Sequence, residues 1–219
     1  HTYELAFRER VAGQFSGSSF TAGHQLAQVK RISKNKTGTR IRFWADRDVF
    51  DADARVDTEE VHQRVVQACF LVPGVKIRVV DKRAGASSDP FEFVSRGGLA
   101  DLVDHLSTGE NACEVIALSG IDTFTERVPV DGKMRDVERE CTVEVALRWV
   151  KGYDTRLESF VNTIPTVQGG THTAGFDRAL TRAVNDVLLK DTRKLAKLAK
   201  ENKHRASKED VEEGMVAAC

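Results

Sequence analysis

The sequence predicts an α+β fold, and three observations lead there. Segments in which apolar and polar residues alternate, the period of half-buried strands, come first and recur through the middle of the chain. A pair of crossover helices, marked by apolar stripes at helical spacing, interrupts them. The end of the chain is helix-rich, so strands and helices fall in runs instead of alternating regularly. At 219 residues the chain holds one large domain, or one domain with part of another.

In residues 2–11, Tyr3, Leu5 and Phe7 alternate with polar neighbours, which predicts a strand. Residues 13–23 are rich in Gly and Ser and read as a mobile loop. Strands are expected at 29–33 and at 39–44, where Ile41 and Phe43 alternate with Arg40 and Arg42. With so little helix between them, these strands alone would leave an unfinished sheet with open edges, as in a truncated domain. His1 is not preceded by Met, so the chain reads as part of a longer one.

Asp57-Thr-Glu-Glu60 predicts a helix start, a capping residue followed by acids in the first turn. Val61, Val65, Ala68, Cys69 and Val72 continue it at helical spacing until Pro73-Gly74. Strands follow at 76–82 and 91–94, then a helix over 98–106 with Leu99, Leu102, Val103 and Leu106 on one face. Further strands are expected at 114–124, 138–150 and 157–164, with a hairpin turn at Asp131-Gly132. Phe176, Leu180, Ala183, Val184, Val187 and Leu188 mark a helix over 173–190. Ser207-Lys-Glu-Asp210 has the pattern of a capping box and predicts a last helix over 211–218.

Composition narrows the function. Lys plus Arg and Asp plus Glu number 33 each, so the chain as a whole lacks the charge of a nucleic-acid binder, and DNA contact needs a local patch. The longest apolar runs, such as 68–72, are far too short to span a bilayer. Cys69, Cys113, Cys141 and Cys219 form no CxxC pair, which reads as buried reduced thiols, with Cys219 exposed at the end, and suits the cytoplasm. HExxH, the P-loop and GxSxG are all missing. His172 has no ligand partner at metal spacing, and Asp46, Asp48, Asp51 and Asp53 lack the Gly and Glu of a calcium loop. No metal site and no catalytic residue is expected.

Gly169-Gly170-Thr171-His172 precedes a helix, where free amides attract anions. Either a phosphate site or a tightly packed structural loop, with Thr171 capping the helix, fits those residues. From Lys190 to Arg205 the chain is dense in Lys and Arg, and Arg193, Lys197 and Lys200 share a helical face. With Lys194 they are candidates to neutralise DNA phosphates, or to form a solvated face.

The run from Ser159 to Phe176, SFVNTIPTVQGGTHTAGF, closely resembles a signature of bacterial type II topoisomerase B subunits, gyrase B or topoisomerase IV B. There it is the strand–loop–helix of the second, transducer domain. Residues 37–50, TGTRIRFWADRDVF, resemble the last ATPase-domain strand of the same proteins. The resemblance covers nearly the whole chain. It implies that residues 1–53 are the C-terminal strands of an ATPase domain of the gyrase/Hsp90/histidine-kinase/MutL (GHKL) type. It implies that residues 54–219 are a transducer, with the fold of ribosomal protein S5 domain 2, ending shortly before a Gln-Thr-Lys loop. That fold contains a left-handed βαβ crossover, against the usual right-handed rule.

The family uses ATP and Mg²⁺, and the resemblance assigns to Thr39 a contact with the adenine amino group. A hydroxyl that donates and accepts suits that edge. The rest of the nucleotide pocket has no counterpart in these residues, so the chain itself is expected to bind no cofactor and to be catalytically inert. In the family the Gly169–His172 loop is mainly structural. Some relatives place an arginine just before the Gly-Gly pair, where Val167-Gln168 stands here, which argues against DNA contact from this loop. The implied partners are the topoisomerase A-type subunit (gyrase A or topoisomerase IV A), double-stranded DNA and a second copy of the full-length protein, with no membrane. The implied activity is ATP-dependent change of DNA topology, an isomerase reaction. Rival readings are a related ATPase (a mismatch-repair protein or Hsp90-like chaperone) and a nucleic-acid-binding module built on residues 190–205.

Overall fold

The computed structural model describes residues 2–219 except 10, 24–25, 34, 36, 46–47, 52, 87–88 and 191–204. It divides into two compact units, His1–Val56 and Asp57–Cys219.

In the first unit, β1 (Thr2–Glu4) pairs antiparallel with β5 (Ala27–Lys30). A separate antiparallel sheet has the order β2 (Ala6–Arg8), β3 (Val11–Ser16), β4 (Ser19–Ala22). The expected strand over 2–11 is therefore broken: Glu9 adopts φ 51° and turns the chain into β3. Residues 13–23 are not a mobile loop. Ser16 pairs with Ser19 across a two-residue turn, and Phe15 opposes Phe20 with ring centroids 5.0 Å apart. Such aromatic cross-strand pairs stabilise a hairpin that Gly and Ser content alone conceals.

Residues 39–44, expected as a strand, do not form one. Ile41, Phe43 and Trp44 are 86%, 64% and 71% exposed. Alternation specifies a strand only where a neighbouring backbone accepts its hydrogen bonds, and no described segment pairs with this one. Arg42 instead lies 4.7 Å from the Trp44 ring centroid, a local cation–π contact.

The second unit begins with α1 (Thr58–Leu71), where the Asp57 carboxylate accepts from the Glu59 amide at 2.8 Å and the Glu60 amide at 3.4 Å. Its buried residues are Val65, Cys69 and Phe70. A hairpin of β6 (Lys76–Val79) and β7 (Phe91–Val94) leads to α2 (Leu99–Leu106). In the turn before α2, the Asp101 carboxylate accepts from Ser95 Oγ at 2.7 Å and from the Gly97 and Arg96 amides at 2.8 and 3.3 Å. These donors, Ser95 first, hold the Asp101 carboxyl below its ordinary range. A depressed native value stabilises the fold above the unfolded value and is lost as pH falls through the native one. Acid titration of Asp101→Asn should thus show a weaker loss of stability below about pH 4 than the wild type, the ordinary aspartate range.

The central sheet has the order β10-β13-β9-β8, from β8 (Ile116–Val130), β9 (Lys133–Trp149), β10 (Arg156–Glu158) and β13 (Met215–Ala218). β8 and β9 form one long hairpin through Asp131 and Gly132, both with positive φ. The strand expected over 157–164 splits at Ser159. After it, β11 (Phe160–Val161) and β12 (Ile164–Pro165) fold back on each other around Asn162, φ 56°. The long helix is α3 (Thr171–Lys190).

The main correction lies at the C-terminal end. The capping box is present: Ser207 Oγ accepts from the Asp210 amide, and the Asp210 carboxylate accepts from the Ser207 amide. Its helix, however, is α4 (Lys208–Glu212), and Met215–Ala218 is a strand, not the helix expected over 211–218. A short apolar run has no period that separates buried helix from buried strand. Gly214 decides it: with φ 71°, any Cβ there would lie 2.7 Å from the Val150 carbonyl and 2.8 Å from that of Gly152. The helix stops, and β13 runs parallel to β10 and antiparallel to β9. Cys219 continues this pairing with Glu158 and Phe160, so it is half-buried, and Cys141 is the exposed thiol. Burial pushes the Cys219 thiol up.

Alternate residues of β13 feed two cores. Val216 and Ala218 pack with Phe70, Leu102, Val103, Leu106, Ala146 and Phe160 beneath α1 and α2. Met215 and Ala217 pack with Leu147, backed by Phe176 and Leu180 of α3. The sheet is thus covered by helices on both faces, a mixed α/β unit in which β13 and β9 are the inner strands.

Candidate functional site

The strand–loop–helix at residues 159–176 follows directly from the turn at Asn162. The Thr166 amide donates to the Ser159 carbonyl at 2.8 Å, which extends the β11–β12 pairing by one step. Side chains reinforce it: Ser159 Oγ and Thr166 Oγ1 are 2.5 Å apart, and Thr166 Oγ1 is 3.1 Å from His172 Nε2. Ser159 is buried, so this chain of hydroxyls and imidazole ties the strand to the first turn of α3.

The two glycines have distinct reasons. Gly169 adopts φ 70° as its amide donates to the Thr166 carbonyl at 2.8 Å. A Cβ on Gly170 would lie 2.8–2.9 Å from the His172 ring. Gly170 is the residue before α3, and its amide donates to Thr173 Oγ1 at 2.9 Å, half of a capping box. The capping hydroxyl is therefore Thr173, not Thr171 as expected. Alanine at 170 pushes the imidazole off Thr166; its expected cost is about 1–3 kcal/mol, seen as a lower urea midpoint and a shifted His172 ring resonance.

Chemically the loop is a brace. Ser159, Thr166 and His172 form a line with no carboxylate at its end, unlike a nucleophile–base–acid triad. Among the described residues no group of three or more His, Cys, Asp or Glu is arranged to hold a metal ion. No helix of the described residues is long and apolar enough to cross a membrane.

Thr39 lies on the non-strand stretch of the first unit and is exposed. Arg193, Lys194, Lys197 and Lys200 lie outside the described residues. Their flanks are fixed by Asn185, which no sequence motif singles out. This buried side chain donates from Nδ2 to the Ala206 carbonyl at 3.0 Å and accepts at Oδ1 from the Ala206 amide at 2.9 Å. It therefore joins α3 to the residues that precede α4. A polar residue midway along an otherwise amphipathic helix is the available signal.

The strand–loop–helix at 159–176 is the element through which the sequence resembles type II topoisomerase B subunits, and comparison with known proteins places the chain in that class. The model of the DNA gyrase B family matches residues 98–219. The chain belongs to that family. The DNA gyrase B protein of Clostridium acetobutylicum is 36% identical over 209 residues, 95% of this chain and 29% of that protein. Its counterparts in Streptococcus pneumoniae and Enterococcus faecalis are 32% and 33% identical over 206 residues, 94% of this chain and 29% of each protein. The chain thus spans less than a third of the relatives it matches. The 43K ATPase domain of Thermus thermophilus gyrase B, solved with an aminocoumarin, superposes with a TM-score of 0.62 at 25% identity, over 98% of this chain and 52% of that one. The gyrase B protein of Myxococcus xanthus shares the fold, with a TM-score of 0.53 at 21% identity, over 79% of this chain and 41% of that one.

Proposed function

We propose that the chain is the mechanical relay of a type II topoisomerase B-type protein, coupling ATP binding and hydrolysis to movement of the DNA gate. The observation that carries this reading is the braced loop at 159–172: it joins the strand after β10 to α3 through a line of hydrogen bonds that ends on His172 with no orienting carboxylate. A stiff junction between a sheet and a long helix transmits displacement as a rigid body, which suits hinge-type domain motion. In this reading residues 54–219 are the transducer, with the S5 domain 2 topology and its left-handed crossover. The parallel β10–β13 pairing, with α3 and α4 between the two strands in sequence, supports the crossover itself, whatever its hand. Residues 1–53 are the C-terminal strands of the GHKL ATPase domain, and Thr39 contributes to the adenine contact.

The full-length protein in this reading binds ATP with Mg²⁺, dimerises, associates with the A-type partner and passes one DNA duplex through another in the cytoplasm. The chain alone is catalytically inert. ATP hydrolysis by the isolated chain is expected at the background rate; turnover well above background contradicts the relay. Arg193, Lys194, Lys197 and Lys200 are proposed as phosphate contacts.

A further inference from the structure

Three ionisable groups meet where α4 packs on α3. Lys208 Nζ lies 2.7 Å from Asp177 Oδ2 and 3.7 Å from Glu212 Oε1. The two carboxyl side chains are only 17% and 16% exposed, whereas Lys208 is 49% exposed. Asp177 Oδ1 and Glu212 Oε1 are both buried with no hydrogen-bond partner among the described residues. One ammonium thus serves two carboxyls, and the oxygens left over are all acceptors. Two acceptors satisfy each other only when a proton lies between them.

We propose that Glu212 keeps its proton in the folded chain and directs it at Asp177, and that release of this proton detaches α4 from α3. With both carboxyls ionised, a second buried anion has no counter-charge, and breaking such a balance is costly. Local opening is the cheapest relief, because α4 has only five residues and little stability of its own. Its other ties include Trp149 Nε1 to the Val211 carbonyl at 2.8 Å, Thr155 Oγ1 to the Glu212 carbonyl at 2.6 Å and the buried Val211 side chain. Opening releases the residues that Asn185 and Lys208 hold against α3. It therefore acts as a proton-operated clasp at one end of the basic stretch.

The charged groups facing Glu212 are Asp177 from α3 and Lys208 from its own helix, and Cys219 at the end of β13 feels the charge of Asp177. Arg178, Arg182, Asp186 and Arg205 line the outer groove. Burial first, and the Asp177 charge second, push the Glu212 carboxyl up from its ordinary value. A raised native value means that stability is full below the unfolded value and is lost as pH rises through the native one.

The test is amide hydrogen exchange of Val211 and Glu213, corrected for intrinsic rates, from about pH 5 to about pH 9, across the ordinary and raised carboxyl ranges. Wild-type protection should fall by up to about tenfold per pH unit between the opened-state carboxyl value and the raised native value, and level off once Glu212 has released its proton. Glu212→Gln, which keeps the neutral form, and Asp177→Asn, which removes the like charge, should both show flat protection. A flat wild-type profile, as a bridging water would give, overturns the proposal. So does a fall that persists in either variant, or a Glu212→Gln chain that does not fold.

Discussion

Replacing Met215 with alanine is expected to lower the unfolding free energy of the Asp57–Cys219 unit by about 3 kcal/mol, the cost of removing a fully buried side chain from a site that cannot collapse. Met215 is 0% exposed. It sits on β13 between β9 and β10, and its neighbours Leu147, Phe176 and Leu180 belong to other elements. Backbone pairing on both sides of β13 keeps the strand from shifting into the cavity. Urea denaturation should show a lower midpoint at unchanged slope. Met215→Leu, which nearly conserves volume, should cost less than about 1.5 kcal/mol. Since domains are stable by only about 5–15 kcal/mol, the alanine variant loses a large fraction of its margin. A loss below about 1 kcal/mol would mean that the strand is not an inner, doubly covered element of the sheet.

The second large effect is asymmetric. Arg148 on β9 is 5% exposed, and its Nη2 lies 2.6 Å from Asp104 Oδ1 on α2. Its Nε is buried with no hydrogen-bond partner among the described residues. Asp104→Ala removes that counter-charge and leaves a buried cation, at an expected cost of about 3 kcal/mol. That is the low end of the range for broken buried pairs, because the Asp104 side chain is 58% exposed and water already screens it. Arg148→Met removes the desolvation cost and the orphaned donor together, so it should be neutral or stabilising. Thermal or urea unfolding of both variants, and of the double variant, measures the coupling. Equal losses from the two single substitutions would show that the pair is a net attraction and not a desolvated charge needing its partner.

Elements bounded by punctuation are legible in the sequence, and elements defined by their neighbours are not. Asp57 and Pro73-Gly74 bracket α1, and the apolar stripe Leu99, Leu102, Val103, Leu106 predicts α2 almost to the residue. Met215–Ala218 escapes detection because a strand buried on both faces shows no alternation. The long β8–β9 hairpin looks like two shorter strands in the sequence, because its outer residues are exposed and largely polar. Residues 39–44 mislead in the opposite sense: the alternation of Ile41 and Phe43 is strong, but pairing needs a partner that no local pattern reveals. The loop glycines are readable as a tight approach to a helix. The brace itself is not, because Ser159, Thr166 and His172 are brought together by the turn at Asn162 and not by any fixed spacing.

The relay account requires that nucleotide bound elsewhere in the full-length protein change the geometry between the two units of this chain, since coupling exists only where two states differ. Spin labels at Ser18→Cys in the first unit and Ser119→Cys in the second, with the exposed Cys141 replaced by serine, report that geometry as a distance distribution. The account predicts that a non-hydrolysable ATP analogue bound to the full-length protein shifts the distribution to a new, narrower maximum. A distribution unchanged by saturating analogue would contradict it.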